Sequence, residues 1–259
     1  MPRFLALLLC SSLIISFLVG FCFPSQHKDI RFFEALLFIE HSELPDFASY
    51  QDVSLKKSDF FSFLLPKVQL ANERIRAERH FVKSIEGSSI QDLSKLQKLR
   101  IEKLAKKYKI EDTEAEAVIP ELLVRINMVP ASLVLAQAAN ESAWGTSRFA
   151  KKGNNLFGQW CYVKGCGLVP KSRGNNENHE VAKFKNVQAS IESYMRNLNS
   201  QSSYADLRAL RLQQIKKGNL NGHDLAQGLL MYSTRREAYV HEIQLMIRQN
   251  DLQQYDKVE

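Results

Sequence analysis

One stretch limits what this chain can become: Pro130 to Gly145, a helix that is apolar on nearly every side. Ala131, Leu133, Val134, Leu135, Ala136, Ala138 and Ala139 give it the pattern of a helix buried in a core. Pro130 suits its first turn, because proline lacks an N–H that a helix start leaves unpaired and its fixed φ is already helical. Gly145 is the expected C-cap. The same helix carries one acid, Glu141, at its end. Desolvation and the negative end of the helix dipole both disfavour a carboxylate there, and both raise its pKa. A general acid working near neutral pH needs that property. A lone carboxylate at a helix end is more often simply solvated, so position alone does not assign a role. The run Asn154-Asn155-Leu156-Phe157-Gly158-Gln159-Trp160 adds weight. Aromatic faces pack on the C–H surfaces of sugar rings, and amides bond their hydroxyl and acetamido groups.

The remaining pattern is mostly helical. Residues 24–53, with Pro24 and Pro45, read as an irregular linker, and residues 54–112 as a helical extension. Within the extension, Phe63, Leu64, Val68, Leu70, Ile75 and Phe81 give helical spacing, with Pro66 starting or kinking a helix. Gly87-Ser88-Ser89 breaks it, and Ser89 with Asp92 reads as a capping box. Leu93, Leu96, Leu99 and Leu104 then continue the helical period. A short helix over 122–128 leads into the apolar one. Between Cys161 and Phe184 the punctuation by Gly165, Gly167 and Gly174 predicts a hairpin, with strands near 167–171 and 180–184. Helices return at 188–199, 204–216, 223–232 and 236–250, packing around one core.

The N-terminus follows another logic. Residues 4–23 form an almost unbroken apolar run after Arg3, which reads as a secretory signal or a single membrane anchor. With Arg3 held inside, either reading sends the residues after Pro24 outward, to a periplasmic location. Two of the four cysteines, Cys10 and Cys22, lie in that run; the others, Cys161 and Cys166, flank a tight loop. Outside the cytoplasm such a pair closes a disulfide or remains as two thiols. A metal site is disfavoured: His179 is the nearest His, and the six His form no H-x-x-x-H couple. No metal and no cofactor are expected. The net charge of +7 suits nucleic acid or a carboxylate-rich cell wall and anionic lipid. The basic residues are spread among acids and no nucleic-acid motif occurs, so nucleic acid is not an expected partner.

Three elements carry a family resemblance. Ala136–Gly145 has the form A-Q-A-x-x-E-S-x-W-G, Asn155–Gly158 has the form N-x-F-G, and Tyr232-Ser233-Thr234 with Tyr239 resembles Y-A-T-x-x-x-Y. Their order and spacing resemble the bacterial glucosaminidase family, which includes flagellar and autolysin-type peptidoglycan hydrolases. Residues 161–170, 179–184 and 59–66 resemble its Bax-like branch. The resemblance implies a mainly α, lysozyme-like fold over 113–252, in which a helical lobe carries the acid and a small β-hairpin faces it. It implies peptidoglycan glycan strands as substrate, with cleavage of the β-1,4 bond after GlcNAc. Lytic transglycosylase chemistry and a wall-binding protein without catalysis are the alternatives.

By the same resemblance, Glu141 is the general acid, and Tyr232 orients the substrate's acetamido group or the attacking water. Asn155, Phe157 and Gly158 form the sugar-contacting wall. Trp144 shapes the cleft base or simply fills space, and Gln137, one turn before Glu141, supports it. Glycosidases commonly use two carboxylates. Family members often carry the second on the first hairpin strand, but residues 168–173 contain no acid. Glu177 and Glu180 are the substitutes, with Glu180 on the more fixed element. A single-acid route, in which the 2-acetamido group attacks C1, avoids the need for either.

Overall fold

The computed structural model describes residues 34, 36–111, 115–171, 173, 174 and 177–256. The chain divides into two units, residues 1–41 and 42–259. In the first, residue 34 and residues 36–41 are helical; the expected signal or anchor over 4–23 lies outside the described residues. Among the described residues no helix is long and apolar enough to cross a membrane.

The second unit is mainly helical. Its first helix, α1 (Val53–Lys83), begins where Asp52 accepts the amides of Ser54 and Leu55 at 2.7 and 3.0 Å, a cap contributing about 1 kcal/mol. It passes Pro66 without ending and buries Phe60, Leu64, Val68, Ala71 and Ile75 along one face. The break after it falls as expected, but the capping box does not. Residues 90–92 form a 3-10 turn that Ser89 does not cap. Extended backbone at Leu93 interrupts the chain there, and α2 (Lys95–Lys107) starts from a reciprocal box between Ser94 and Gln97.

Helices α3 (Ala115–Arg125) and α4 (Ala131–Ser142) follow, and the joint between them is fixed by buried charge. Arg211, fully buried, donates to the carbonyls of Val124, Arg125, Asn127 and Met128. Burial lowers its pKa to about 9. Helix α4 is the expected apolar helix, and residues 131–139 are all buried. Each of its large aliphatic side chains contributes about 1.5–3 kcal/mol by leaving water. Pro130 offers no capping side chain. Asp256, 124 residues away, instead accepts the Ser132 amide at 2.9 Å and its hydroxyl at 2.6 Å. Around α4 pack α1, α8 (Gly222–Leu225), α9 (Glu237–Gln249) and the 3-10 turn 252–256.

Between these lie α5 (Arg148–Gly153), α6 (Val187–Ser200), α7 (Ala205–Lys216) and a small antiparallel sheet. The sheet has three strands, where two were expected. β1 (Trp160–Cys161) and β2 (Gly167–Leu168) flank β3 (Glu180–Ala182), with Trp160 opposite Val181 and Leu168 opposite the same residue. The added strand, β1, lies before Gly165, Gly167 and Gly174, whose punctuation marks the expected hairpin. The helix expected over 223–232 is α8 followed by 3-10 turns at 226–229, and it stops before Tyr232.

One hydrophobic core runs from Phe47 to Leu252. Residues 54–112 are therefore built into the same core as 113–252, and the expected linker contributes Phe47, which is 1% exposed.

Candidate active site

The end of α4 is an unusual turn. Ala143, Trp144 and Gly145 all have left-handed backbone, with φ of 51, 60 and 75°. The Trp144 amide bonds back to the Ala139 carbonyl at 2.9 Å, closing a Schellman motif with Ala143 in the place expected of Gly145. A side chain in this conformation costs roughly 1–2 kcal/mol, and Ser142 holds the turn against it. Its hydroxyl donates to the Ala138 carbonyl and accepts the Gly145 amide at 2.7 Å. Gly145 has its own reason to be glycine: a Cβ there would sit 2.8 Å from the Phe47 ring. Trp144 points away from the cleft. It packs edge-on to Phe60 and Phe61 of α1, with the Lys57 ammonium 5.1 Å over its ring. Of the two expectations for Trp144, filling space is the one its position matches.

Glu141, one residue before this turn ends the helix, is half-buried and lines a cleft of about 430 Å³. A directed hydrogen-bond chain reaches it. The Tyr194 hydroxyl donates to the Gln137 carbonyl oxygen, the Gln137 amide donates to the Tyr239 oxygen at 2.8 Å, and Tyr239 donates to Glu141 Oε1 at 2.7 Å. Because Tyr239 accepts from Gln137, its own proton points at the carboxylate. Burial raises the Glu141 pKa and is the largest influence; the Tyr239 hydroxyl and the Asn140 amide oppose it, Glu242 adds to it, and Arg235 opposes it weakly. The net direction is upward. Gln137, one turn before Glu141, connects to it only through Tyr239.

Tyr232 also reaches the cleft. It stacks on Tyr239 with ring centres 5.2 Å apart, and its hydroxyl donates to the Phe157 carbonyl at 2.9 Å. Its proton is committed, while its oxygen keeps a lone pair. Phe157 lies flat on Tyr194 at 4.0 Å. Gly158 lines the cleft with φ 64°; nothing lies within 4 Å of a Cβ there, so the backbone angle alone calls for glycine. Asn155 has a different place from the one expected. It is 1% exposed, its amide donates to the carbonyls of Gln159 and Ala182, and its oxygen accepts the amides of Phe157 and Gln159. It shapes the wall from behind and does not face the cleft.

The opposite wall comes from the sheet. Cys161 and Cys166 form a disulfide, with Cα atoms 6.3 Å apart. Glu180 lies behind this loop and does not line the cleft. Its two oxygens accept the amides of Gly165 and Gly167 at 2.9 and 2.8 Å, and these bonds hold its pKa below the usual carboxylate value. Glu180, expected as a catalytic partner, is thus held against the amides of the disulfide loop and is not among the residues lining the cleft. Glu177 is exposed and accepts the Gly174 amide. Among the described residues lining the cleft, Glu141 is the one carboxylate. A larger depression, about 670 Å³, lies at the other end of α4. Its acids are engaged, Glu73 with Arg76 and Asp256 with Ser132 and Gly222.

Several lining residues were not singled out in the sequence. Tyr194 and Asn197 of α6, Gln201 and Tyr204 enter from beyond the recognised motifs. Tyr239 is visible as a motif position, but no signal along the chain shows that it touches Glu141.

Residues 121–252 match the family described as Glucosaminidase: Mannosyl-glycoprotein endo-beta-N-acetylglucosaminidase. The chain is 31% identical over 215 residues to Protein bax of Escherichia coli (strain K12), covering 81% of this chain and 75% of that protein. It is 30% identical over 135 residues to the exo-glucosaminidase LytG of Bacillus subtilis (strain 168), covering 49% of this chain and 46% of that one. Among solved structures it is similar to the catalytic domain of the autolysin Auto from Listeria monocytogenes, with TM-score 0.39 and 23% identity, covering 69% of this chain and 87% of that chain. With the family match spanning the acid-bearing helix, the cleft loop and both tyrosines, and with a relative this similar over most of its length, the chain belongs to the glucosaminidase family.

Proposed function

We propose that this protein cuts the glycan strands of peptidoglycan as a β-N-acetylglucosaminidase, cleaving the β-1,4 bond after GlcNAc. The observation that carries the proposal is Glu141: a half-buried carboxyl facing the cleft, with a raised pKa and one oxygen fixed by Tyr239. A carboxyl kept protonated near neutral pH can give its proton to the departing glycosidic oxygen.

With Glu141 the one acid among the described lining residues, the reading uses the substrate as its own nucleophile. The 2-acetamido oxygen attacks C1 as the C1–O bond breaks, and the Glu141 proton goes to the leaving oxygen. The ionised Glu141 then takes a proton from water as that water opens the cyclic intermediate at C1, restoring the acid. Tyr232 fits a supporting role, because its oxygen lone pair can accept the acetamido N–H and make the attacking carbonyl oxygen more nucleophilic. The same single acid would also serve a lytic transglycosylase, in which a hydroxyl of the muramic residue replaces water. The apolar run 4–23 and the disulfide support action outside the cytoplasm, as a soluble periplasmic protein or one tethered to the inner membrane.

Digestion of purified sacculi tests the reading. The native protein should release fragments with reducing GlcNAc ends, and Glu141→Gln should release at most about a thousandth as much. Anhydro-muramyl ends would assign the transglycosylase outcome. Equal release by both proteins would remove Glu141 from the chemistry, and binding without turnover by both would leave a wall-binding protein.

A further inference from the structure

We infer that Trp160 and Tyr162 form a sugar-stacking platform at the sheet end of the cleft, giving it a preference for extended chains of amino sugars. The inference rests on the glycan reading above and deepens it. Both residues line the same cleft as Glu141, yet Trp160 is 57% and Tyr162 65% exposed. Large aromatic rings left in water on a concave surface are the usual mark of a ligand contact. One face of Trp160 is covered by the His179 ring, stacked at 3.9 Å and 16°. With His179 against it and more than half of the residue still exposed, the ring is a backed plate with surface left available.

The scaffold beneath the plate is rigid. Trp160 pairs with Val181 in the sheet, and its neighbour Cys161 is tied to Cys166 and pairs with Glu180. Glu180 then pins the loop by the amides of Gly165 and Gly167. Orientation fixed before binding removes part of the ordering cost that a flexible aromatic would incur.

The lining chemistry selects the ligand. Among the described lining residues there is no Lys or Arg, so nothing there favours the carboxylates of a peptide stem. Neutral sugar rings match instead: their C–H faces lie on aromatic planes. Gln201 lines the same cleft half-buried, and its side-chain amide makes no hydrogen bond to another described residue. It offers a donor and an acceptor to an acetamido group.

The test uses full-length Glu141→Gln protein and the β-1,4-linked tetramer and dimer of GlcNAc. The chain has two tryptophans, and Trp144 is packed against α1 away from the cleft. Fluorescence changes on binding therefore report on Trp160. The tetramer should produce a saturable change and bind more tightly than the dimer. Adding Trp160→Ala should weaken tetramer binding about tenfold, measured by calorimetry, while Trp160→Phe should keep most of it. A silent Trp160, or equal tetramer affinity with Trp160→Ala in a protein of unchanged circular dichroism, would overturn the platform. Tetramer binding that depends on Trp160, in a protein whose native form leaves sacculi intact, would uphold the platform and sink the hydrolase reading. Cleavage of sacculi by a protein whose affinity ignores Trp160 would do the reverse.

Discussion

The end of α4 and the disulfide loop each hold a glutamate in a secluded place, and they treat it in opposite ways. Glu180 is 5% exposed, yet two backbone amides aimed at its oxygens stabilise its ionised form. Glu141 is more open, but it sits at the negative end of a buried helix, with one tyrosine hydroxyl at short range and Asn140 at 3.5 Å. Desolvation wins at Glu141 and hydrogen bonding wins at Glu180. Exposure alone thus does not identify an acid catalyst. The balance between desolvation and the hydrogen bonds facing the carboxylate decides which carboxyl keeps its proton.

The contrast can be broken by substitution. The largest effect expected is from Glu141→Gln, with cleavage of sacculi falling about a thousandfold or more, whereas Glu180→Gln should lower activity only a few-fold. A loss with Glu180→Gln as deep as that with Glu141→Gln, in a folded protein, would make the two carboxyls partners. Limited proteolysis gives the complementary readout, since Glu180→Gln should speed cutting within the loop 161–167 and Glu141→Gln should not.

Tyr239→Phe should be next in size. Removing the hydroxyl takes away the strongest donor to the ionised carboxylate, so the Glu141 pKa rises further. Activity that needs the protonated acid is lost above that pKa, so the alkaline limb of the kcat/KM profile should move to higher pH. The change also leaves the buried Gln137 amide without its partner, at a cost of about 1–3 kcal/mol in stability. An alkaline limb that stays in place would separate Tyr239 from the acid.

The smallest effect is on stability against pH. The folded Glu141 pKa lies above its unfolded value. Between those two values the folded state holds more proton, so stability falls as pH rises through that window. Glu141→Gln carries no such penalty. Its melting temperature relative to the native protein should climb across the window and level off above the folded pKa. A difference independent of pH from 4 to 8 would contradict the raised pKa.

Much of this was legible along the chain, and the limits are instructive. The apolar period of 131–139 is local, so the buried helix and the acid at its end could be read directly. The hairpin and the cysteine pair were visible because glycines and cysteines mark turns and links at short range. Asn155 looks like a sugar contact in the sequence because the Ala182 carbonyl, which its amide meets, comes near only when β3 folds back; its other bonds, to Phe157 and Gln159, are local. Trp144 was ambiguous for a similar reason: Phe60 and Phe61 lie more than eighty residues earlier. Tyr239 is separated from Glu141 by 98 residues, and Asp256 from Ser132 by 124. Periodicity says which face of a helix is buried, but not which side chain from a distant helix will meet it.

The most direct measurement is a titration of the glutamate carboxyl carbons by NMR, with Glu141 and Glu180 assigned by their Gln variants. The account predicts Glu141 titrating above the ordinary glutamate value and Glu180 below it, in the same folded sample. Glu141 titrating at or below the ordinary value would contradict it, because the cleft would then hold no proton ready for a glycosidic oxygen.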